Sequence, residues 1–142
     1  MTIHRFDGEH FWLSNFYESP VVLGGITFST AEHAFQAAKC KYAEDVTRIH
    51  AARTPGEAKG IGRKVTMRDD WEQVKYHVMV SVIRAKFEVP ELADKLLSTG
   101  DQELVEGNTW GDRTWGRVAG KGNNWLGEIL MERRELLRQE RA

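Results

Sequence analysis

One cysteine, Cys40, stands among 142 residues, so the chain can form no internal disulfide and no thiolate metal cluster. The five histidines, at positions 4, 10, 33, 50 and 77, include no H-x-x-x-H or H-E-x-x-H pair, which excludes the common zinc spacings. No Walker-type G-x-x-x-x-G-K-[ST] and no G-x-S-x-G occurs, so neither a P-loop nor a nucleophile elbow is expected. Cys40 falls late on a predicted helix among alanines and lysines, without the neighbouring base a thiol nucleophile needs. The sequence therefore calls for neither metal nor cofactor. No apolar run approaches the roughly 18 residues of a membrane span, and the first residues lack the charged-then-apolar layout of a signal peptide. The expected compartment is the cytoplasm, with no membrane partner.

What is present is an ordinary globular composition, 41% apolar and 29% charged, in a length that suits one core. A single domain over residues 1–142 is expected. Lys and Arg (20) balance Asp and Glu (21), which argues against broad affinity for nucleic acid. Locally the balance shifts: residues 48–86 hold nine Lys or Arg and four Asp or Glu, a surplus of 9 − 4 = 5 positive charges. That surplus suits a phosphorylated small molecule, or else a solvated helical surface.

Val21 to Phe28 is two β-prone runs around Gly24-Gly25, the chemistry of a two-residue hairpin. Ser29-Thr30-Ala31-Glu32 has capping-box spacing and opens a helix near Thr30 that runs past Lys39. Further helices are predicted from Asp45 to Arg53, from Thr54-Pro55 until Gly60 and Gly62 end it, from Asp69 through Phe87, from Pro90 to a cap at Gly100, and from an Asn123 or Asn124 cap through Leu137. Residues 103–106 read as a short strand. The fold class is thus mainly α, an α+β arrangement with a small N-terminal hairpin.

The chemistry available is carboxylates among aromatics: Glu32 in the first turn of its helix, and Asp112 between Trp110 and Trp115 in a segment holding six of the 13 glycines. Cleavage of a glycosidic bond passes through an electron-poor, oxocarbenium-like sugar that carboxylates stabilise and that activated water captures. Glu32, Gln36 and Lys39 share one helical stripe at i, i+4 and i+7. A structural account competes: Ser29 and Glu32 close the capping box, Gln36 is solvated and Lys39 decorates the surface.

The segments Leu13-Ser14-Asn15-Phe16-Tyr17, Thr30-Ala31-Glu32-His33-Ala34-Phe35-Gln36-Ala37-Ala38-Lys39 and Gly127-Glu128-Ile129-Leu130-Met131-Glu132-Arg133-Arg134 together resemble the NADAR, or YbiA-like, family. Gly62-Arg63, Asp70-Trp71, Arg84-Ala85-Lys86-Phe87, Leu104-Val105-Glu106, Asp112, Trp115-Gly116, Gly122-Asn123 and Leu126-Gly127 follow in the family's order, so the resemblance covers almost the whole chain. It implies a compact YbiA-like fold and hydrolysis of an N-glycosidic bond. The substrate is expected to be an early, phosphorylated riboflavin-pathway intermediate, or ADP-ribose attached to guanine in a nucleic acid. By motif, Glu32, Trp71, Asp112 and Trp115 fall on active-site positions, with Asn15, Phe16, Lys39 and Arg63 in the pocket. Two features depart from the family pattern: Trp110-Gly111 precedes Asp112 where more polar residues are usual, and the Arg117–Gly122 segment is shorter.

From these residues the expected mechanism has Arg63 or Lys59 binding phosphate, Trp71 and Trp115 stacking on the base or shaping the pocket, and Glu32 and Asp112 dividing the chemistry. Lys39 is the candidate for a Schiff base with a ring-opened sugar. The rival classes are a non-catalytic ADP-ribose or nucleotide-binding module and a single-strand nucleic-acid binder.

Overall fold

A computed structural model describes all 142 residues. In chain order the elements are strand β1 (Thr2–Ile3), a 3-10 helix (Gly8–Leu13), strands β2 (Glu18–Leu23) and β3 (Ile26–Thr30), and helices α1 (Ala31–Lys39), α2 (Ala43–His50), α3 (Pro55–Gly62), α4 (Trp71–Lys86) and α5 (Pro90–Ser98). Strand β4 (Glu103–Leu104) and helix α6 (Trp125–Glu140) complete the chain. Helix accounts for about 51% of the residues and the strands form only two-stranded sheets, so the protein is mainly α as expected. No helix is long and apolar enough to cross a membrane. The elements gather into two compact units, Asn15–Lys86 and the pair of segments Met1–Ser14 and Phe87–Ala142.

In the first of these, β2 and β3 form the predicted antiparallel hairpin, with Val22 opposite Thr27 and Leu23 opposite Ile26. Gly24 and Gly25 close it at φ +59° and +79°, a left-handed pair that residues with a Cβ adopt only under strain. The hairpin's inner face buries Val21 and Phe28 while Val22 and Ile26 stay exposed. The chain then enters α1 through Thr30, whose Oγ1 accepts from the His33 backbone N–H at 3.2 Å. The cap is therefore one residue later than the Ser29–Glu32 box anticipated, and the third helical position belongs to His33. The His33 ring is held at both nitrogens, Nδ1 against Thr30 Oγ1 at 2.7 Å and Nε2 against the Ala52 carbonyl at 3.0 Å. Helix α1 packs against α2, α3, α4 and the hairpin, which is why residues 31–37 are all buried. At α3 the predicted signals hold: Thr54 Oγ1 accepts from the Glu57 N–H, Glu57 Oε2 accepts from the Arg53 N–H, and Pro55 opens the helix.

In the second unit β1 pairs in parallel with β4, placing Ile3 beside Leu104. Sequence periodicity did not disclose β1, because its partner lies about a hundred residues away and a two-residue strand has no measurable alternation. Helix α6 packs on α5 and β4. Asn124 is its N-cap residue, one of the two expected, at φ +53°, but its side chain makes no capping bond; its Nδ2 donates to the Leu104 carbonyl at 2.9 Å and its Oδ1 accepts from the Glu106 N–H at 3.0 Å. The cap's side chain thus serves as a clamp on the β4 segment instead of on the helix. Gly127 sits beside that clamp, where a Cβ would run into the Leu104 carbonyl oxygen and the Asn124 amide. Alanine inside a helix normally gains about 1 kcal/mol over glycine. Here overpacking against backbone reverses the sign, and Gly127→Ala is expected to lose about 1–3 kcal/mol, read as a thermal midpoint several degrees lower.

Candidate active site

Helix α1 carries the core of the site. Glu32 is only 8% exposed, and its backbone N–H donates to the Asn15 carbonyl at 3.0 Å. Its Oε2 accepts from Gln36 Nε2 at 2.7 Å, one helical turn on. Burial raises the Glu32 pKa above the ordinary carboxylate value. The Gln36 hydrogen bond and the positive fields of Lys59, Lys39 and His33 oppose that rise. Gln36 is itself 7% exposed, so the solvated role that the structural account gave it is overturned.

Lys39, at the end of the same stripe, is half-buried. Burial lowers its pKa, the proximity of Glu32 raises it, and Arg63 lowers it further. Lys59 of α3 reaches over the Phe16 ring, Nζ 5.9 Å from the centroid. Arg63 caps the C-terminal end of α3 and is exposed. Four of the predicted residues, Glu32, Lys39, Lys59 and Arg63, are therefore linked by their fields within one unit, and Phe16 and Asn15 join them by contact. Asn15 is buried with Nδ2 on the Met79 sulfur at 3.4 Å, while its Oδ1 has no protein donor. Trp71 is 5% exposed and lies against Phe35 with ring centroids 5.1 Å apart. That geometry makes it a wall of the core rather than a stacking platform.

The other two predicted residues lie in the second unit. Asp112 Oδ1 accepts from the backbone N–H groups of Thr114 at 3.0 Å and Trp115 at 2.9 Å, and its own N–H donates to Asn108 Oδ1. This is an Asx turn that shapes the glycine-rich loop. Trp115 is half-buried, edge-to-face with Trp125 at 5.6 Å, whereas Trp110 is 61% exposed. A cavity of about 380 Å³ opens in the same unit, lined by residues that include His4, Arg5, Asn108 and Arg117. It contains none of the predicted site residues.

Two buried residues were left open or given no part by the sequence. Gln36 had the right i, i+4 spacing, but nothing local announced its burial. Lys86 entered only as one of the nine basic residues of the 48–86 surplus; it is fully buried, its Nζ 5.8 Å from the Tyr17 centroid, and burial lowers its pKa to about 7. Burial of another kind disarms Cys40, whose thiol is pushed up to about 11.

The family description that fits this chain is that of the NADAR domain, matching residues 3–138. The chain belongs to the NADAR family. Among NADAR relatives, N-glycosidase YbiA of Escherichia coli (strain K12) is 42% identical over 133 residues, covering 90% of this chain and 82% of the relative. An N-glycosidase of Nostoc punctiforme is 39% identical over 132 residues, covering 88% of this chain and 84% of its own. A riboflavin biosynthesis protein of Vibrio vulnificus is 34% identical over 137 residues, covering 94% of this chain but 37% of that longer protein. The NMR structure of E. coli YbiA aligns with TM-score 0.87 at 38% identity, over 99% of this chain and 86% of that one. The YbiA-like fold expected from the resemblance is the observed one.

Proposed function

We propose that this NADAR chain hydrolyses the C1–N bond of a phosphorylated ribosyl base of the kind found early in riboflavin synthesis. Its class, an N-glycosidase and so a hydrolase, follows from family membership and from the named activity of relatives about 40% identical over most of the chain. The riboflavin branch is supported by the Vibrio relative's name and by the cationic neighbourhood of the site. The observation that carries the reading is a buried carboxylate, Glu32, hydrogen-bonded at one oxygen and flanked by two lysines.

In this mechanism Arg63 and Lys59 bind the phosphate, and Asn15, Phe16 and Trp71 shape the pocket. As the C1–N bond breaks, its electron pair goes to nitrogen, which takes up a proton from solvent, made good by the proton that the adding water later gives up. Positive charge develops on C1 and the ring oxygen, where the Glu32 carboxylate stabilises it until water adds at C1. Where the ribose hangs from an exocyclic amine, its ring opens to an imine. Lys39 then exchanges with the base amine to form a lysine imine, which water hydrolyses.

Asp112 and Trp115 enter the proposal through the family resemblance alone. Asp112→Asn keeps the oxygen that accepts the two loop N–H bonds and removes only the charge. It is expected to lower kcat about tenfold or more, with a thermal midpoint unchanged within measurement. Asp112→Ala removes the acceptor as well and loses about 1 kcal/mol of stability.

The test is a mass-spectrometric release assay on phosphoribosylated riboflavin intermediates and, in a second arm, on ADP-ribosylated guanine in an oligonucleotide. Release of ribose 5-phosphate in the first arm, absent with Glu32→Gln, is the expected result. Release of ADP-ribose in the second arm alone moves the substrate to modified nucleic acid. Binding without release in either arm makes the chain a non-catalytic module.

A further inference from the structure

Gln36 lies outside the set of residues so far given a chemical part. We infer that Gln36, braced by the glycine at position 62, is a positioning residue that points the Glu32 carboxylate at the reacting centre. The inference rests on the reading of Glu32 as the reacting carboxylate, and three observations carry it.

First, the amide and the carboxylate are both buried and joined by a 2.7 Å hydrogen bond along one face of α1. Second, α3 crosses directly behind the amide: a Cβ built on Gly62 would collide with Gln36 Oε1. Only hydrogen fits there, so the amide cannot retreat from Glu32 by that route. Third, Gln36 Oε1 has no donor in the protein. Turning the amide round would set that oxygen against a carboxylate oxygen, so the orientation with Nε2 on Glu32 is the only one that avoids repulsion. A buried amide with one orphaned oxygen is a poor choice for stability, since a methionine or leucine of similar volume fills such a place without a polar cost. What the amide adds is direction. Its N–H also favours the ionised form of Glu32 in a setting where burial disfavours it. The titratable groups acting on Glu32 besides are Lys59 from α3 and Lys39 and His33 from α1 itself. From the other elements packed on α1, the buried residues include Ile49 of α2, Val21 of β2, Phe28 of β3, and Trp71, Met79 and Lys86 of α4.

The experiment is a carbon-13 NMR titration of the Glu32 carboxyl, assigned by its disappearance in Glu32→Gln, in wild type, Gln36→Met and Gly62→Ala. It is run beside the pH dependence of kcat/KM on whichever substrate the release assay identifies. In Gln36→Met the Glu32 midpoint is expected to rise by about one pH unit, with the acid limb of kcat/KM moving up equally and kcat at neutral pH falling about tenfold. Gly62→Ala, which keeps both side chains and displaces the amide, is expected to shift both in the same direction and carries the test should Gln36→Met fail to fold. An unmoved midpoint with a lowered thermal midpoint makes Gln36 core filling and overturns the inference, even if Glu32→Gln is inactive. If Glu32→Gln turns over normally, the reading of Glu32 itself fails, and a shifted midpoint then shows Gln36 holding a carboxylate that the reaction does not use.

Discussion

Glu32→Gln is expected to lose about 10²–10³-fold in kcat, the range for removing a positioned group that stabilises transition-state charge, while ligand affinity stays within about threefold. The same variant is expected to be more stable than wild type at neutral pH. The sign follows from the direction of the Glu32 shift. Burial raises the folded-state pKa above the ordinary value of 4.5, so between the two values the folded chain binds more protons than the unfolded one. Wild-type stability therefore falls as pH rises through that window, and above it the folded state carries a desolvated charge. Glutamine has no charge to desolvate. The stability advantage of Glu32→Gln is thus smallest at pH values below about 4.5 and fully developed above the raised pKa, where about 0.5–2 kcal/mol is a reasonable scale. Thermal melts of the two proteins across pH, beside the release assay, measure both halves. Equal turnover by the two proteins removes Glu32 from the chemistry. A variant less stable than wild type at neutral pH shows that the flanking lysines and the Gln36 bond outweigh burial.

Much of this arrangement was legible in the sequence where its cause is local. Gly24-Gly25 gave the hairpin turn, Thr54-Pro55 with Glu57 gave the start of α3, and the step pattern from Trp71 through Val82 gave α4. What was not legible depends on partners far along the chain. Whether Ser29 or Thr30 caps α1 is decided by the way the hairpin delivers the chain and by His33 bridging Thr30 to the Ala52 carbonyl. Asn124 has a helix-capping identity, yet its amide is spent on Leu104 and Glu106, some 20 residues earlier. At the site, the stripe of Glu32, Gln36 and Lys39 was visible as spacing, and spacing alone left it open between a solvated face and a pocket. The backbone of α3 at Gly62 settles that Gln36 is inside. Trp71 shows the converse: a tryptophan that suited a stacking role by type is committed to Phe35.

Sodium borohydride added during turnover is expected to leave a reduced sugar on Lys39, located by peptide mass spectrometry, and Lys39→Met is expected to slow release by about 10²-fold or more. A nucleophilic lysine must be unprotonated, and burial lowers the Lys39 pKa with Arg63 adding to the fall. Glu32 works the other way, raising it. The two groups therefore impose the same sign on the pH profile: activity rises as Glu32 ionises through its raised pKa, and rises again as Lys39 loses its proton through its lowered one. Lys59 provides the control within the same neighbourhood. Placed over the Phe16 ring and assigned to phosphate, it should trap no sugar, and Lys59→Met should raise KM with kcat largely kept. Capture on Lys39 with a two-step rise in kcat/KM establishes the imine route. If borohydride leaves no adduct and Lys39→Met keeps the wild-type rate, water attacks C1 directly, and the second rise in the profile should disappear with it.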